Sequence, residues 1–127
     1  MADIVFPGQA GTTLNESNLP ANHNLVIYKG DYVELLVTIR DSVGIPVNLV
    51  GATPRAVLKS DYSDRLPIEF AATLTEFAGE VLLSLTSSQT ATLLPGSYIW
   101  DFQVTFSPLR TRTYIAGDVT VYDDVTV

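Results

Sequence analysis

One stretch of the sequence constrains the fold more than any other. Between residues 98 and 106, large apolar side chains occupy every second position: Tyr98, Trp100, Phe102, Val104 and Phe106. A period of two is typical of a β-strand with one buried face. Each of these side chains stabilises the fold by roughly 1.5–3 kcal/mol when it is fully buried. We therefore predict a central strand here that supplies much of the core.

Weaker patterns on both sides of this stretch predict further elements. A Ser/Thr-rich start followed by Gln, Ala and Leu predicts a short helical turn over 86–94. About seven to nine short strands at this spacing favour an all-β antiparallel sandwich over an α/β fold. The predicted strands cover 25–28, 33–40, an edge strand at Pro46–Leu49 whose proline cannot donate to a ladder, 52–59, 68–74, 79–85, 98–106, 110–115 and the apolar positions from Val119 to Val125.

The N-terminal residues have a different character. Residues 1–23 are rich in Gly, Asn, Pro and Thr and lack sustained periodicity, so they bury too little apolar area to offset their ordering entropy. Yet Ile4, Val5 and Phe6 form an apolar cluster near the start. We predict an extended arm over 1–23 that docks on a neighbouring subunit through this cluster, followed by the sandwich domain over 24–127.

Composition excludes several kinds of function. The 127 residues contain 7 Lys and Arg against 14 Asp and Glu, a net charge of −7, which argues against binding to nucleic acid. There is no Cys, and His23 is the one histidine, which leaves few zinc sites and few general-base schemes. No signal peptide and no membrane-spanning run is recognisable. We expect synthesis in the cytoplasm of the cell that translates the chain, no membrane partner and no cofactor.

Several residues are candidates for catalytic, metal-binding or other binding roles. Asp61 and Asp64 lack the spacing of a calcium loop, and His23 is expected to be an exposed tail residue rather than a catalytic base. Trp100 belongs to the core stripe rather than to a sugar-stacking platform. We predict no catalytic, cofactor or metal residues. Arg110 and Arg112 share one strand face, expected to point outward, and are candidate edge contacts for an acidic partner.

Three motifs in order carry a resemblance to a known family. A Lys-Gly-Asp turn at 29–31 opens an alternating strand, an Asp-x-x-Gly-x-Pro-x-x-Leu-x-Gly pattern follows at 41–51, and a Leu-x-Pro-Gly-x-Tyr-x-Trp-Asp pattern follows at 93–101. Over residues 25–122 the sequence resembles small tailed-phage virion proteins akin to the N-terminal β-sandwich domain of baseplate upper (BppU-type) proteins. The resemblance implies an immunoglobulin-like sandwich without catalytic residues.

The resemblance also implies a role. The chain is expected to be a virion structural protein, a tail or baseplate adaptor that assembles in multiple copies with other virion proteins through strand edges and the N-terminal arm. The likeness covers the N-terminal sandwich of baseplate upper proteins and does not extend to the portion that follows it. An adaptor role is therefore expected rather than receptor attachment. Two alternatives stay open: decoration of the capsid or neck, and a module that binds carbohydrate or a bacterial surface protein.

Overall fold

The computed structural model describes residues 3–5, 12–13, 21–41, 43–60 and 67–123, and for residues 3–5 and 12–13 the description concerns the backbone. Within this part of the chain, short strands and one helix alternate with turns. Their bounds are β1 (Asp3–Val5), β2 (Thr12–Thr13), β3 (Ala21–Asn22), β4 (Leu25–Tyr28), β5 (Val33–Arg40), β6 (Thr53–Ser60), β7 (Ile68–Glu69), β8 (Ala71–Leu74), β9 (Glu80–Leu85), α1 (Ser87–Ala91), β10 (Gly96–Ser107) and β11 (Arg110–Tyr122).

The strands form two sheets. The first has the order β2-β1-β5-β9-β8, and the second has the order β3-β11-β10-β6-β7, with β4 also paired to β11. In immunoglobulin constant-type domains, strands A, B, E and D form one sheet and strands C, F and G form the other. Here β1, β5, β9 and β8 take the places of strands A, B, E and D. In the other sheet, β6, β10 and β11 take the places of strands C, F and G. The predicted all-β, immunoglobulin-like sandwich is confirmed.

The core lies between the two sheets and follows the period of two. In β10, Tyr98, Trp100, Phe102 and Val104 are buried, while Phe106 is half-buried at the end of the stripe. β10 lies between β6 and β11, so the prediction of a central strand is confirmed. The first sheet contributes the buried side chains Val37, Ile39, Val81, Leu83 and Leu85.

The predicted helical turn is also present and is capped at its start. The Thr86 hydroxyl accepts a hydrogen bond from the Gln89 N–H at 3.1 Å, and the Gln89 side chain accepts one from the Thr86 N–H at 2.9 Å. This reciprocal pair is a capping box. It satisfies two backbone donors that the start of a helix leaves without intrahelical partners.

Three details of the strand prediction differ from the structure. Pro46–Leu49 is not a strand: Pro46 forms one isolated bridge with Arg40, and Leu49 is buried. The reason is topological, because residues 41–52 carry the chain from β5 in the first sheet to β6 in the second. The segment 68–74 is divided between β7 in the second sheet and β8 in the first. The described residues form eleven strands rather than seven to nine.

The N-terminal residues differ from the expectation of an arm separate from the sandwich. β1 pairs antiparallel with β5, which places the backbone of Ile4 opposite Ile39, and β3 pairs parallel with β11. Strand edges offer unpaired N–H and C=O groups, and these pairings satisfy some of them. The sandwich therefore includes residues before the predicted boundary at 24. Phe6 lies outside the described residues.

Candidate interaction site

Three loops meet at one end of the sandwich. Thr38 near the end of β5 pairs with Glu80 at the start of β9, and Thr53 at the start of β6 pairs with Thr105 near the end of β10. The connections 41–52, 75–79 and 108–109 therefore lie at the same end. Two of them touch, because residues 48–50 and 74–80 line one shared hollow.

These three loops expose apolar side chains. The exposed fractions are 75% for Val43, 59% for Ile45, 88% for Val50, 63% for Phe77 and 96% for Leu109. We call these five residues the end patch. A single exposed apolar residue is ordinary on a protein surface, whereas a group of them at one place is typical of an interaction site.

Polar side chains fix the backbone directly at four of these five positions. Asp41 Oδ1 accepts hydrogen bonds from the N–H groups of Val43 and Ile45, both at 3.0 Å. Asn48 Oδ1 accepts one from the Val50 N–H at 3.0 Å.

Phe77 is held in the same way. Its N–H donates to Thr75 Oγ1 at 3.1 Å, and that hydroxyl donates to Glu80 Oε1 at 2.9 Å. Side chains of Asp, Asn and Thr that bind the backbone two residues ahead are a standard way to hold a turn. The exposed apolar side chains are thus presented by ordered turns.

The two arginines share a face, as predicted, but the face differs from the expectation. Arg112 lies opposite Val104, a buried residue of β10, and residues directly opposite each other project to the same side of a sheet. The cause is a bulge: Phe102 pairs with Ile115 and Gln103 with Thr113, so Tyr114 is an extra residue in β11. Arg110 and Arg112 therefore lie on the face of the second sheet that packs on the core, but past the end of the core.

His23 is not the exposed tail residue that was expected. Its carbonyl oxygen accepts a hydrogen bond from Trp100 Nε1 at 2.8 Å, and its own N–H donates to the Ala116 carbonyl at 3.1 Å. Burial lowers the pKa of the imidazole below its ordinary value of 6.5. Gly117 makes this approach possible, because a Cβ there would lie 2.1 Å from the His23 oxygen.

The remaining candidates fall in different places. Trp100 is buried in the core and packs against Phe70 with ring centroids 5.9 Å apart, as expected. Asp61 and Asp64 lie outside the described residues. Among the residues that the structure describes, no three His, Cys, Asp or Glu side chains are grouped closely enough to hold a metal ion. No helix in the described ranges is long and apolar enough to span a bilayer.

No protein-family model matches the chain, and no curated protein sequence matches it either. Among solved structures, the chain is similar to the Lin-41 filamin domain, with 20% identity and a TM-score of 0.46, over 76% of this chain and 82% of that one. It is also similar to a family 123 glycoside hydrolase from Clostridium perfringens, with 11% identity and a TM-score of 0.43, over 84% of this chain and 24% of that one. The immunoglobulin-like assignment depends on the strand order described above.

Proposed function

We propose that the protein is a non-enzymatic structural subunit that binds other proteins through the end patch, and that its setting is a phage particle, as an adaptor of the tail or baseplate. One observation carries the proposal: ordered turns hold apolar side chains in solvent at one end of the sandwich. The phage setting rests on the motifs at 29–31, 41–51 and 93–101.

Apolar side chains that are exposed to solvent do not stabilise the protein, and free energy is released only when a partner covers them. Because the turns are already ordered, binding does not have to order them, and the entropy cost of association is correspondingly lower. Phe77 supplies the aromatic side chain that frequently dominates the binding energy of an interface.

A strand edge supplies a second contact surface for copies of the chain. β4 is paired with β11 on one side, and within the described residues no strand pairs with its other side. Val26, Tyr28 and Tyr122 are exposed on the adjoining surface, with the two tyrosine rings 5.6 Å apart. Unprotected strand edges favour pairing with another chain. Contact through Ile4, Val5 and Phe6 stays a further part of the proposal.

The experiment asks whether the end patch directs incorporation into particles. Phe77→Ser combined with Val50→Ser removes apolar surface from two loops, and Leu94→Ser, an exposed apolar residue in a different connection, between α1 and β10, is the matched control. Quantitative mass spectrometry of purified particles is the measurement. We expect several-fold less of the double variant in particles, unchanged incorporation of the control, and equal melting temperatures.

Two outcomes would contradict parts of the proposal. Absence of the wild-type chain from particles excludes the virion role and leaves the carbohydrate- or surface-binding module, which glycan and cell-surface binding assays then test. Undiminished incorporation of the double variant excludes the end patch. Which structural neighbours the chain crosslinks to in particles distinguishes the tail adaptor from a capsid or neck decoration protein.

A further inference from the structure

Two arginine side chains of β11 are stacked on aromatic rings. Arg110 Cζ lies 5.3 Å from the centre of the Phe106 ring, and Arg112 Cζ lies 5.1 Å from the centre of the Tyr114 ring. Both distances are within the range of cation–π attraction. Stacking restricts the side chains before any ligand arrives, so less rotamer entropy is lost when the guanidinium groups bind.

The arginines line an open hollow of about 710 Å³ at the β10–β11 hairpin. Its described lining contains no carboxylate: it consists of Phe106, Leu109, Arg110, Thr111, Arg112, Thr113 and Tyr114. The chain as a whole has a net charge of −7. The hollow is thus a local reversal of sign, and within the described residues neither guanidinium has a carboxylate at ion-pair distance.

Among the residues that the structure describes, no strand pairs with the second edge of the same part of β11. Residues 110–113 pair with β10 on one side, and Tyr114 is the extra residue of the bulge. On the other side, pairing with β3 begins at Ile115 and pairing with β4 begins at Val119. Within the described part of the chain, the second edge of 110–114 therefore has no strand beside it, and its N–H and C=O groups are available to an added strand.

We propose that this hollow binds an acidic extended segment of a partner protein, which adds to the free edge of β11 and places two carboxylates on Arg110 and Arg112. Side chains two residues apart in a strand share a face and are separated by about 6.8 Å. Arg110 and Arg112 are two residues apart along β11, so carboxylates at positions i and i+2 of an added strand match them one to one. Guanidinium forks bind carboxylates through paired, charge-assisted hydrogen bonds.

Charge complementarity selects this occupant over other strands. A neutral strand would pair with the edge but leave both guanidinium groups without partners, and a basic one would be repelled. A nucleic acid strand offers phosphates instead, but the net charge of −7 opposes its approach. The site does not depend on the proposed role in a particle, because it concerns binding by the purified chain.

The test uses short synthetic peptides and the full chain. The probe is acetyl-Thr-Glu-Val-Glu-Thr-amide, with acetyl-Thr-Glu-Glu-Val-Thr-amide as the peptide of altered spacing and acetyl-Thr-Lys-Val-Lys-Thr-amide as the peptide of reversed charge. Binding is followed by NMR chemical shifts. We expect saturable binding of the first peptide with shifts along 110–114, several-fold weaker binding of the second, and none of the third.

Protein variants separate the arginine pair from general electrostatics. Arg110→Gln and Arg112→Gln should each weaken binding about tenfold or more, since each loses a charge-assisted contact. Arg112→Lys keeps the charge but loses the fork, and should bind between wild type and the Gln variant. Arg55→Gln, which removes an exposed arginine of β6 paired with Glu69 at 3.1 Å, should change binding less than twofold.

Several results would overturn the proposal. Failure of the full chain to bind the first peptide would show that the edge is not open to a partner. Equal binding of the three peptides, or a loss in Arg55→Gln as large as in Arg112→Gln, would reduce the effect to nonspecific attraction. Tighter binding of a single-stranded oligothymidine than of the acidic peptide would assign the hollow to phosphates. Melting temperatures of all variants should match wild type, so that a loss of binding reports the site.

Discussion

Among single residues, we expect those on the inner face of β10 to contribute most to the free energy of unfolding. Phe102 is fully buried and pairs with Ala56 of β6 and Ile115 of β11. It is the largest of the fully buried side chains. Its neighbour Gln103 points to the outer surface of the same strand and makes the same kind of backbone pairing.

Phe102→Ala should therefore lower the free energy of unfolding by about 3–5 kcal/mol, through lost transfer energy and the cavity that remains. The measurement is urea unfolding followed by circular dichroism. Gln103→Ala, the control in the same strand, should change the free energy by less than about 0.5 kcal/mol. A Phe102→Ala variant as stable as wild type would contradict the role of this stripe as the core.

His23 makes the stability depend on pH. Its pKa is lowered by burial in the folded protein, so the unfolded chain binds the proton more tightly, and stability rises with pH between the two pKa values. The contribution is fully present above about pH 6.5, the unfolded value, and is lost as pH falls through the folded value.

We expect the single imidazole to titrate by NMR with a midpoint below 6.5, and the melting temperature to fall between about pH 7 and 5, a window in which few carboxylates titrate. His23→Gln should make the melting temperature depend less on pH over this window. A midpoint at or above the ordinary value would contradict the partial burial of this residue.

At the scale of elements, β10 is tied to the turn that precedes it. The Tyr98 hydroxyl donates to the Leu94 carbonyl oxygen at 2.6 Å. Tyr98 lies near the start of the strand that holds the F position, and its hydroxyl bonds to backbone four residues upstream. This arrangement corresponds to the tyrosine corner of immunoglobulin-like sandwiches. It fixes the connection between α1 and β10.

Tyr98→Phe removes this bond without changing the ring. We expect a loss of about 0.5–1.5 kcal/mol, the net value of one hydrogen bond in a folded protein, with an unchanged slope in urea unfolding. Tyr122→Phe removes the hydroxyl of a half-exposed tyrosine and should leave stability unchanged. An equal effect of the two substitutions would mean that the bond to Leu94 adds nothing.

Local patterns predict only those elements whose signals are local. β5, β9 and β10 have enough alternating residues for a period of two, and α1 has its capping box, so each follows from its own sequence. β3 has two residues and no period, and its place beside Ile115 depends on contacts about ninety positions away. The sequence does not reveal the bulge at Tyr114. Tyr114 and Ile115 are both apolar, so the pattern does not show which of them faces the core, and in the structure both are buried. The facing of Arg110 and Arg112 was missed for that reason.

The end patch was missed for a different reason. Val43 and Val50 are chemically identical to core valines, and composition does not reveal that they face solvent. The one available signal was their context: Val43 precedes Gly44, and Val50 precedes Gly51, two glycines with φ of 85° and 80°. Positive φ marks tight turns, and both glycines lie in the connection between β5 and β6. Apolar residues beside such turns were candidates for exposure.

At the scale of the whole molecule, the position of the N-terminal boundary is testable. A predicted arm over 1–23 that lies outside the sandwich should add nothing to its stability, but Ala21 is buried and pairs with Ile115. Deleting residues 1–22 should lower the free energy of unfolding by about 1 kcal/mol relative to deleting residues 1–20, since only the longer deletion removes β3. Thermal melts of the two truncated chains give the comparison. Identical melts would restore the boundary at Asn24.

The parallel alignment of β4 with β11 has a mechanical consequence. A force that pulls the chain before β4 and after β11 in opposite directions acts along both strands, so it loads their shared hydrogen bonds in shear and at the same time. An antiparallel hairpin pulled from its two ends would instead open one bond after another. We expect high resistance to stretching when tension enters directly before β4 and after β11, and a lower rupture force when it enters through the β10–β11 hairpin.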